Sequence, residues 1–478
     1  MMQTSNVTFS LILSTLIIAI FVAGCTVGPD YTPPEPPHDL DQWQQPSEYG
    51  LISSQADISQ WWQVLNDSSL NELVERGLSG NLDMDQARSR VREARAQRGI
   101  ETAARFPAFT TSGSATKVKK GDLQTNELYT TGFDAAWEID IFGSVSRRIE
   151  ASTADMQASI EFLRGVQVSL AAEIALNYVE MRSFQNRIRV ANTNVEAQQK
   201  TLDVVTDRFD LKLINSLAVE QAKSNLAVSK AQIPPLQSGL RQAMNRLAVL
   251  TGEKPGALDD FIQEASSVPM SPLEIAIGIP ADLIRRRPDI RGAERALAAQ
   301  CARVGVATAD LYPRFTFNGT LQFATADMTS LFDSTSRLSN IGPAFQWNIF
   351  NAGSIRSNIK VQNERQKQAL IKYEQTILQA LEEVENAMVA YARQLDRQES
   401  LKQAVTATRK SANLAESLYK DGLKDFIYVL DAQRAMFTLE DQLVVSSAEV
   451  TANLIRLYKA LGGGWDPAPG EVTNNLSK

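Results

Sequence analysis

The chain has 478 residues, of which 44% are hydrophobic and 22% are charged. This composition is that of a folded protein, and the net charge of −7 argues against a nucleic-acid binder, which would carry a basic excess. With one histidine, His38, and two cysteines, the sequence excludes multi-histidine metal sites and argues against Ser-His-Asp or Cys-His nucleophiles. No phosphate-binding or dinucleotide fingerprint is present. We therefore expect that the protein is not an enzyme and that it binds no metal and no cofactor.

The N-terminus is typical of a bacterial lipoprotein signal peptide. Residues 9–22 form an apolar run shorter than the ~20 residues of a spanning helix, and the run ends in Val22-Ala23-Gly24-Cys25. Small residues before Cys25 predict cleavage after residue 24 and a lipid on the Cys25 sulfur. No Lys or Arg precedes the run, which departs from the usual pattern, so an uncleaved membrane anchor is the alternative.

The residues after Cys25 predict an extended tether. Residues 26–37 contain five prolines and cannot form a helix, so we expect this segment to run along the surface. If Cys25 carries a lipid, it cannot pair with Cys301. We therefore expect Cys301 to be a small packed residue within a helix.

The chain reads as one unit written twice. Phe106-Pro107-Ala108-Phe109 matches Tyr312-Pro313-Arg314-Phe315, and Asp140-Ile141-Phe142 matches Asn348-Ile349-Phe350 at a similar offset. A Pro- and Gly-rich stretch separates the copies. We predict a signal peptide (1–24), a lipidated tether (25–60), a first repeat (61–252), a linker (253–280), a second repeat (281–464) and a C-terminal tail (465–478).

Each copy is predicted to contain two strands. Alternation of apolar and polar residues marks Tyr129–Phe142, Phe315–Thr325 and Ile341–Phe350, and Phe106–Val118 is a weaker candidate. Strands of ~10 residues can cross a bilayer when tilted, with aromatic residues at the interfaces and a polar face towards a wet lumen. The alternative is a soluble sandwich with one buried face.

Each copy also contains a long predicted helix, at residues 150–208 and 355–420, neither of which contains proline. Apolar residues recur at 4-3 spacing, which is typical of a coiled-coil seam. The seam residues are Leu163, Val166, Leu170, Ile174 and Met181 in the first helix, and Ile377, Leu381, Val384, Met388, Tyr391 and Leu395 in the second.

Four strands are too few to close a membrane barrel, because bacterial barrels start at eight. An open sheet edge in lipid would leave unpaired backbone groups that cost several kcal/mol each. Several chains would therefore share one barrel, continued by their helices as a hollow duct. The competing interpretation is a structural lipoprotein without a pore.

Two motifs are specific enough to compare with known families: residues 283–290 (Leu-Ile-Arg-Arg-Arg-Pro-Asp-Ile) and the sequence Thr-Val-Gly-Pro-Asp-Tyr that follows Cys25. They resemble those of TolC-type outer-membrane efflux lipoproteins, in the NodT subgroup of outer-membrane factors of RND-type tripartite pumps. The resemblance implies a mainly α fold with a membrane β-barrel: a homotrimer with twelve strands, four from each chain, continued by a long α-helical barrel. It also implies an outer-membrane location and, as partners, a periplasmic adaptor and an inner-membrane pump.

The resemblance also implies roles at the two helical hairpin tips. It places a periplasmic gate at Ile427, with Asp431 and Arg434 as an acidic ring and latch, although Asp431 and Arg434 could equally form an exposed local pair. Gly422 and Lys212 mark the tips that would contact the adaptor. Lys212 stands where the family prefers glycine, so we expect the first tip to turn differently from the second.

The predicted function is a passive exit duct for drugs or other small toxic compounds, opened by the adaptor and the pump. A duct for type I secretion or for metal export is the alternative within transport.

Overall fold

A computed structural model describes residues 26–35, 43, 51–52, 57–119, 121, 125–261, 268–269, 275–276 and 280–466. Cys25 and His38 lie outside the described residues. The chain divides into two compact units, each built from separate stretches of sequence. Unit 1 collects the described residues of 1–35, 89–161 and 292–375, and unit 2 collects those of 36–88, 162–291 and 376–478.

The protein is mostly helical, and both predicted long helices are confirmed. They are α3 (Ser144–Asp210) and α8 (Ser354–Lys420), each of 67 residues, and they start six residues and one residue before the predicted positions. The helices are α1 (Ser68–Gly80), α2 (Leu82–Ala103), α3 (Ser144–Asp210), α4 (Ser216–Ala231), α5 (Ile233–Leu250), α6 (Ala281–Arg286), α7 (Pro288–Ala309), α8 (Ser354–Lys420) and α9 (Phe426–Ala460).

Four long strands form one antiparallel sheet in unit 1. They are β2 (Ala108–Val118), β3 (Asn126–Ile139), β5 (Arg314–Thr325) and β6 (Arg337–Gln346), in the order β2-β3-β5-β6. All four predicted strands are therefore confirmed. In unit 2 the two-residue strands β1 (Leu51–Ile52) and β4 (Ile275–Ala276) pair in parallel.

The register of the sheet places all odd-numbered strand residues on one face. Phe109 pairs with Ala135, Trp137 with Phe317, and Phe315 with Phe345, so the aromatic side chains of four strands lie together. The even-numbered face is rich in hydroxyl and amide side chains, such as Thr320, whose hydroxyl donates to Asp134 Oδ1 (2.8 Å). The predicted division into an apolar and a polar face is confirmed.

Two strands end earlier than the alternation suggested, and after the first of them a local polar contact replaces the ladder. The predicted strand to Phe142 stops at Ile139, where the Asp140 carboxylate accepts the backbone N–H groups of Val145 (2.9 Å) and Ser146 (2.7 Å) and so caps α3. In the second copy β6 stops at Gln346, and Phe350 is among the most exposed apolar residues.

Most residues of the predicted coiled-coil seams are buried in unit 2, and the others are half-buried. Ile174, Met181, Ile377 and Val384 are among the least exposed side chains of the chain. Trp61 also belongs to this core, where it stacks on the Tyr458 ring at 5.4 Å between centroids. The apolar seams therefore pack as cores, as their spacing predicted.

One buried polar cluster fastens α1 to α3 in unit 2. The Tyr178 side chain is fully buried, and its hydroxyl donates to Asp67 Oδ2 (2.8 Å). The same hydroxyl accepts hydrogen bonds from Arg182 Nε (3.0 Å) and Nη2 (2.9 Å). The second oxygen of Asp67 caps α1 through the N–H of Leu70 (3.1 Å). Burial, with the hydrogen bond to Asp67, raises the pKa of Tyr178 to about 12.

Candidate functional site: the hairpin tips

Two turns in unit 2, one between α3 and α4 and one between α8 and α9, form the hairpin tips. At the first, Lys212 has φ of +58°, and at the second Gly422 has φ of +74°. Leu213 N–H donates to Arg208 O (2.9 Å), and Leu423 N–H donates to Leu418 O (2.8 Å), which is the same C-terminal cap at both ends. The expectation that the first tip turns differently is wrong, because Lys212 adopts the left-handed conformation that glycine adopts at the second tip.

The two tips share one apolar core, which we call the tip cluster. The Tyr419 and Phe426 rings lie 5.3 Å apart, and the Arg208 guanidinium lies 4.8 Å above the Tyr419 ring. Arg208 also donates to Tyr419 O (2.9 Å), so a cation satisfies a carbonyl at the C-terminal end of α8. The buried members of the tip cluster are Val205, Ala218, Val219, Ala222, Tyr419, Phe426, Val429 and Leu430.

The predicted gate residues lie on one exposed side of α9. Ile427, Asp431 and Arg434 follow at spacings of four and three residues, which places them on one helix face. All three are exposed, whereas Val429 and Leu430 between them are buried in the tip cluster. The structure therefore brings the three predicted residues together on a surface.

Arg434 bonds to a neighbouring helix. Its Nε donates to Asn225 Oδ1 on α4 at 2.8 Å. Among the described residues no ion pair joins Arg434 to Asp431, so the local pair that the spacing allows is not formed. Arg434 instead joins the two hairpins.

Sequence reasoning missed two buried amides beside the gate face. Gln433 Nε2 donates to Thr201 Oγ1 on α3 (3.0 Å), while Asn225 accepts from Arg434. Within the described residues, Gln433 Oε1 and Asn225 Nδ2 are buried without a hydrogen-bond partner. Such groups weaken a packed seam, because a buried polar atom loses its hydration. The sequence signal that could have found them was Gln433, a polar residue at helical spacing from the apolar Val429 and Leu430.

Both tips expose large apolar side chains among their charged residues. Leu211 and Leu213 at the first tip and Leu423 and Tyr428 at the second are all more than half exposed. Contiguous exposed apolar side chains mark interaction surfaces. Lys212 and Gly422, the predicted adaptor contacts, lie within these two groups.

The described residues contain neither a group of three or more His, Cys, Asp or Glu side chains able to hold a metal ion nor a helix long and apolar enough to cross a membrane.

Comparison with known proteins identifies the family. Residues 73–253 and 279–463 match the family described as "Outer membrane efflux protein". The chain belongs to this family. The resemblance seen in the two motifs is therefore confirmed, and membership places the chain in the outer membrane.

Individual members resemble the chain along nearly its full length. Nodulation protein T of Rhizobium leguminosarum bv. trifolii is 30% identical over 464 residues, which are 95% of this chain and 97% of the relative. The cation efflux system protein CusC of Escherichia coli O6:H1 (strain CFT073) is 32% identical over 454 residues, covering 94% and 97%. The solved outer-membrane channel OprN is 36% identical with a TM-score of 0.86, covering 92% of this chain and 100% of that one.

Proposed function

We propose that this outer membrane efflux protein is the outer-membrane channel of a tripartite efflux system, a passive exit duct that an adaptor and an inner-membrane pump open. The observation that carries the proposal is the sheet of unit 1. Its odd face gathers the aromatic residues and its even face gathers hydroxyl and amide groups. An apolar outer face and a polar inner face are what a membrane barrel around a wet lumen requires.

The sheet edges support assembly from several chains. In the order β2-β3-β5-β6, strands β2 and β6 each have one neighbour within the described part of the chain. Their free backbone groups would cost several kcal/mol each in lipid, and pairing β6 of one copy with β2 of the next removes that cost. A homotrimer would then hold twelve strands in one barrel, with the long helices continuing it as an α-helical barrel.

The order of elements supports an origin by duplication. A helix, two strands, a very long helix and a shorter helix occur in this order as α2, β2, β3, α3 and α4, and again as α7, β5, β6, α8 and α9. The repeats would span residues 61–252 and 281–464, joined by a linker at 253–280.

The proposed gate lies at the tips. Ile427 would form the constriction, Asp431 an acidic ring, and Arg434 the latch that holds α9 against α4 through Asn225. The exposed leucines of both tips offer the apolar contact for the adaptor, and the pump supplies the energy. We infer no catalytic role for the chain.

The cargo follows from the pump rather than from the duct wall. We propose drugs or other small toxic compounds; a relative named for cation efflux keeps metal export as the second candidate. An acidic ring at Asp431 would favour cations over anions, which the reversal potential in a salt gradient measures.

Conductance in planar bilayers tests the channel and the gate. We expect heat-resistant trimers that conduct, and a higher conductance when Asp431→Ala and Arg434→Ala are combined, because the bond to Asn225 is lost. The control combines Glu220→Ala and Lys223→Ala, an exposed ion pair (2.9 Å) at the same spacing on α4. Trimers of unchanged conductance would refute the gate; chains that neither trimerise nor conduct would refute the channel.

A further inference from the structure

The N-terminal segment is docked rather than loose. We call residues Thr26–Glu35 the strap; all its contacts considered below lie within unit 1. The N–H of Val27 donates to Phe142 O (3.2 Å) just beyond the end of β3. The Phe142 ring stacks on Tyr312 at 4.6 Å between centroids. The strap therefore begins beside an aromatic pair at one end of the sheet.

Arg147 on α3 forms hydrogen bonds with the strap. Its side chain is only 5% exposed and donates to Asp30 Oδ1 (2.6 Å) and to Glu150 Oε2 (2.8 Å). It also donates to the carbonyl oxygens of Val27 (3.3 Å) and Gly28 (3.5 Å). A buried guanidinium requires acceptors for its five N–H groups, and the strap supplies three of the four acceptors named here.

Two glycines let the backbones of the strap and α7 touch. Gly28 has φ of +93°, and a Cβ on it would lie 2.5 Å from Gly305 Cα. A Cβ on Gly305 would in turn lie 2.9 Å from Arg147 side-chain atoms. Because the two backbones touch and the Arg147 side chain packs against Gly305, neither Gly28 nor Gly305 can be replaced by a larger residue without moving its neighbours.

Tyr31 is a second point of attachment. Its hydroxyl donates to Glu294 Oε1 (2.6 Å), and its ring packs against a cluster of buried alanines on α3 and α7. The Arg295 guanidinium lies 5.5 Å from the ring centroid. Burial and then the Glu294 carboxylate raise the pKa of Tyr31, which keeps its hydroxyl a donor.

We propose that unit 1 contains a specific groove for the chain's own strap, with Arg147 as its clamp. Docking holds Val27, two residues after the predicted lipid site, beside Phe142 and Tyr312. The lipid anchor then enters the membrane at one fixed point of the barrel wall instead of at the end of a free tether. The groove itself does not depend on the proposed channel function.

Cys301 provides a reporter of docking. The thiol is 2% exposed, and its Sγ lies 3.7 Å from Pro29 O of the strap. Burial raises the pKa of this thiol, so little reactive thiolate is present at neutral pH while the strap is docked. When Cys25 carries a lipid through its sulfur, Cys301 is the one free thiol of the mature chain.

The experiment measures the rate at which a maleimide labels Cys301 in the folded protein purified from membranes. Gly28→Ala should speed labelling roughly tenfold or more, because a loss near 1.4 kcal/mol in docking is a tenfold change in the open population. Gly256→Ala is the matched control: its φ is +92°, but a Cβ there meets only side-chain atoms, at 3.9 and 4.0 Å. It should label at the wild-type rate.

A second variant covers the case in which Gly28→Ala fails to fold. Asp30→Asn combined with Tyr31→Phe removes two strap contacts without adding an atom that clashes, and Asp30 is 86% exposed. This variant should also label faster, at unchanged circular dichroism. Wild-type labelling rates in both folded variants would overturn the groove. A channel that fails to conduct leaves these rates untouched, so the two proposals fail separately.

The thiol count after denaturation tests the anchor. One reactive thiol in each unfolded mature chain supports a lipid on Cys25, and two would overturn the fixed anchor while leaving the groove in place.

Discussion

Replacing Tyr178 with phenylalanine tests how far one hydroxyl stabilises unit 2. The variant Tyr178→Phe keeps the buried ring but removes the donor to Asp67 (2.8 Å) and the acceptor of two Arg182 bonds (3.0 and 2.9 Å). Hydrogen bonds to charged groups contribute about 1.5–3 kcal/mol each, and a buried charge that loses partners pays more. Because Arg182 keeps a bond to Gln185 (2.8 Å), we expect a loss near the top of that range, about 3 kcal/mol.

The measurement is guanidinium denaturation in detergent, followed by far-ultraviolet circular dichroism at neutral pH. Tyr419→Phe is the matched control, because its hydroxyl is buried without a hydrogen-bond partner among the described residues. That substitution should change the free energy of unfolding by less than about 0.5 kcal/mol or raise it. Equal losses in the two variants, or a loss below about 1 kcal/mol for Tyr178→Phe, would refute the reasoning.

Two further predictions concern pH and the tips. Burial raises the pKa of both Tyr178 and Tyr458 from 10.0 to about 12, so the stability that each provides is complete below pH 10 and lost as pH rises towards 12. The loss of unfolding free energy is roughly 2–3 kcal/mol for each residue. Between pH 10 and 12 the denaturation midpoint of the double variant Tyr178→Phe, Tyr458→Phe should therefore fall less steeply than that of the wild type. An equal slope in the two proteins would contradict this prediction. Lys212→Gly should raise the free energy of unfolding by about 0.5–1 kcal/mol, since Lys212 is held at φ of +58°, and Gly422→Ala should lower it. A fall in stability for Lys212→Gly would mean that the lysine side chain makes a compensating contact.

Periodicity made the sheet and the long helices predictable. In the sheet, Phe315 and Phe317 alternate with Thr316 and Asn318, and this spacing determines which residues share a face. The ends of strands were less predictable: Asp140 was read as a polar strand position, yet it caps α3 from outside the ladder. Alternation cannot distinguish these cases, because both place a polar residue between two apolar ones, here Ile139 and Ile141.

Contacts between residues far apart in the chain could not be predicted from the sequence. Arg147 meets Asp30, and Arg434 meets Asn225, across more than a hundred residues with no spacing rule to connect them. Lys212 shows the opposite case: the local signal was clear, a lysine where the family prefers glycine, yet the backbone adopts the same left-handed conformation as at Gly422. A non-glycine residue in this conformation costs about 1–2 kcal/mol, which the packing of the rest of the tip must offset.

The pairing of β3 with β5 has a consequence for biogenesis. This central pair joins residues near 130 to residues near 320, so the two hairpins of the sheet emerge from the ribosome far apart in time. An isolated two-stranded hairpin is marginally stable in water, and pairings between distant residues form slowly. During export the first hairpin, with Phe133 and Trp137 on its apolar face, must therefore be kept from aggregating until its partner arrives. The N-terminal half of the chain must therefore stay unfolded and soluble until the C-terminal half has also been exported.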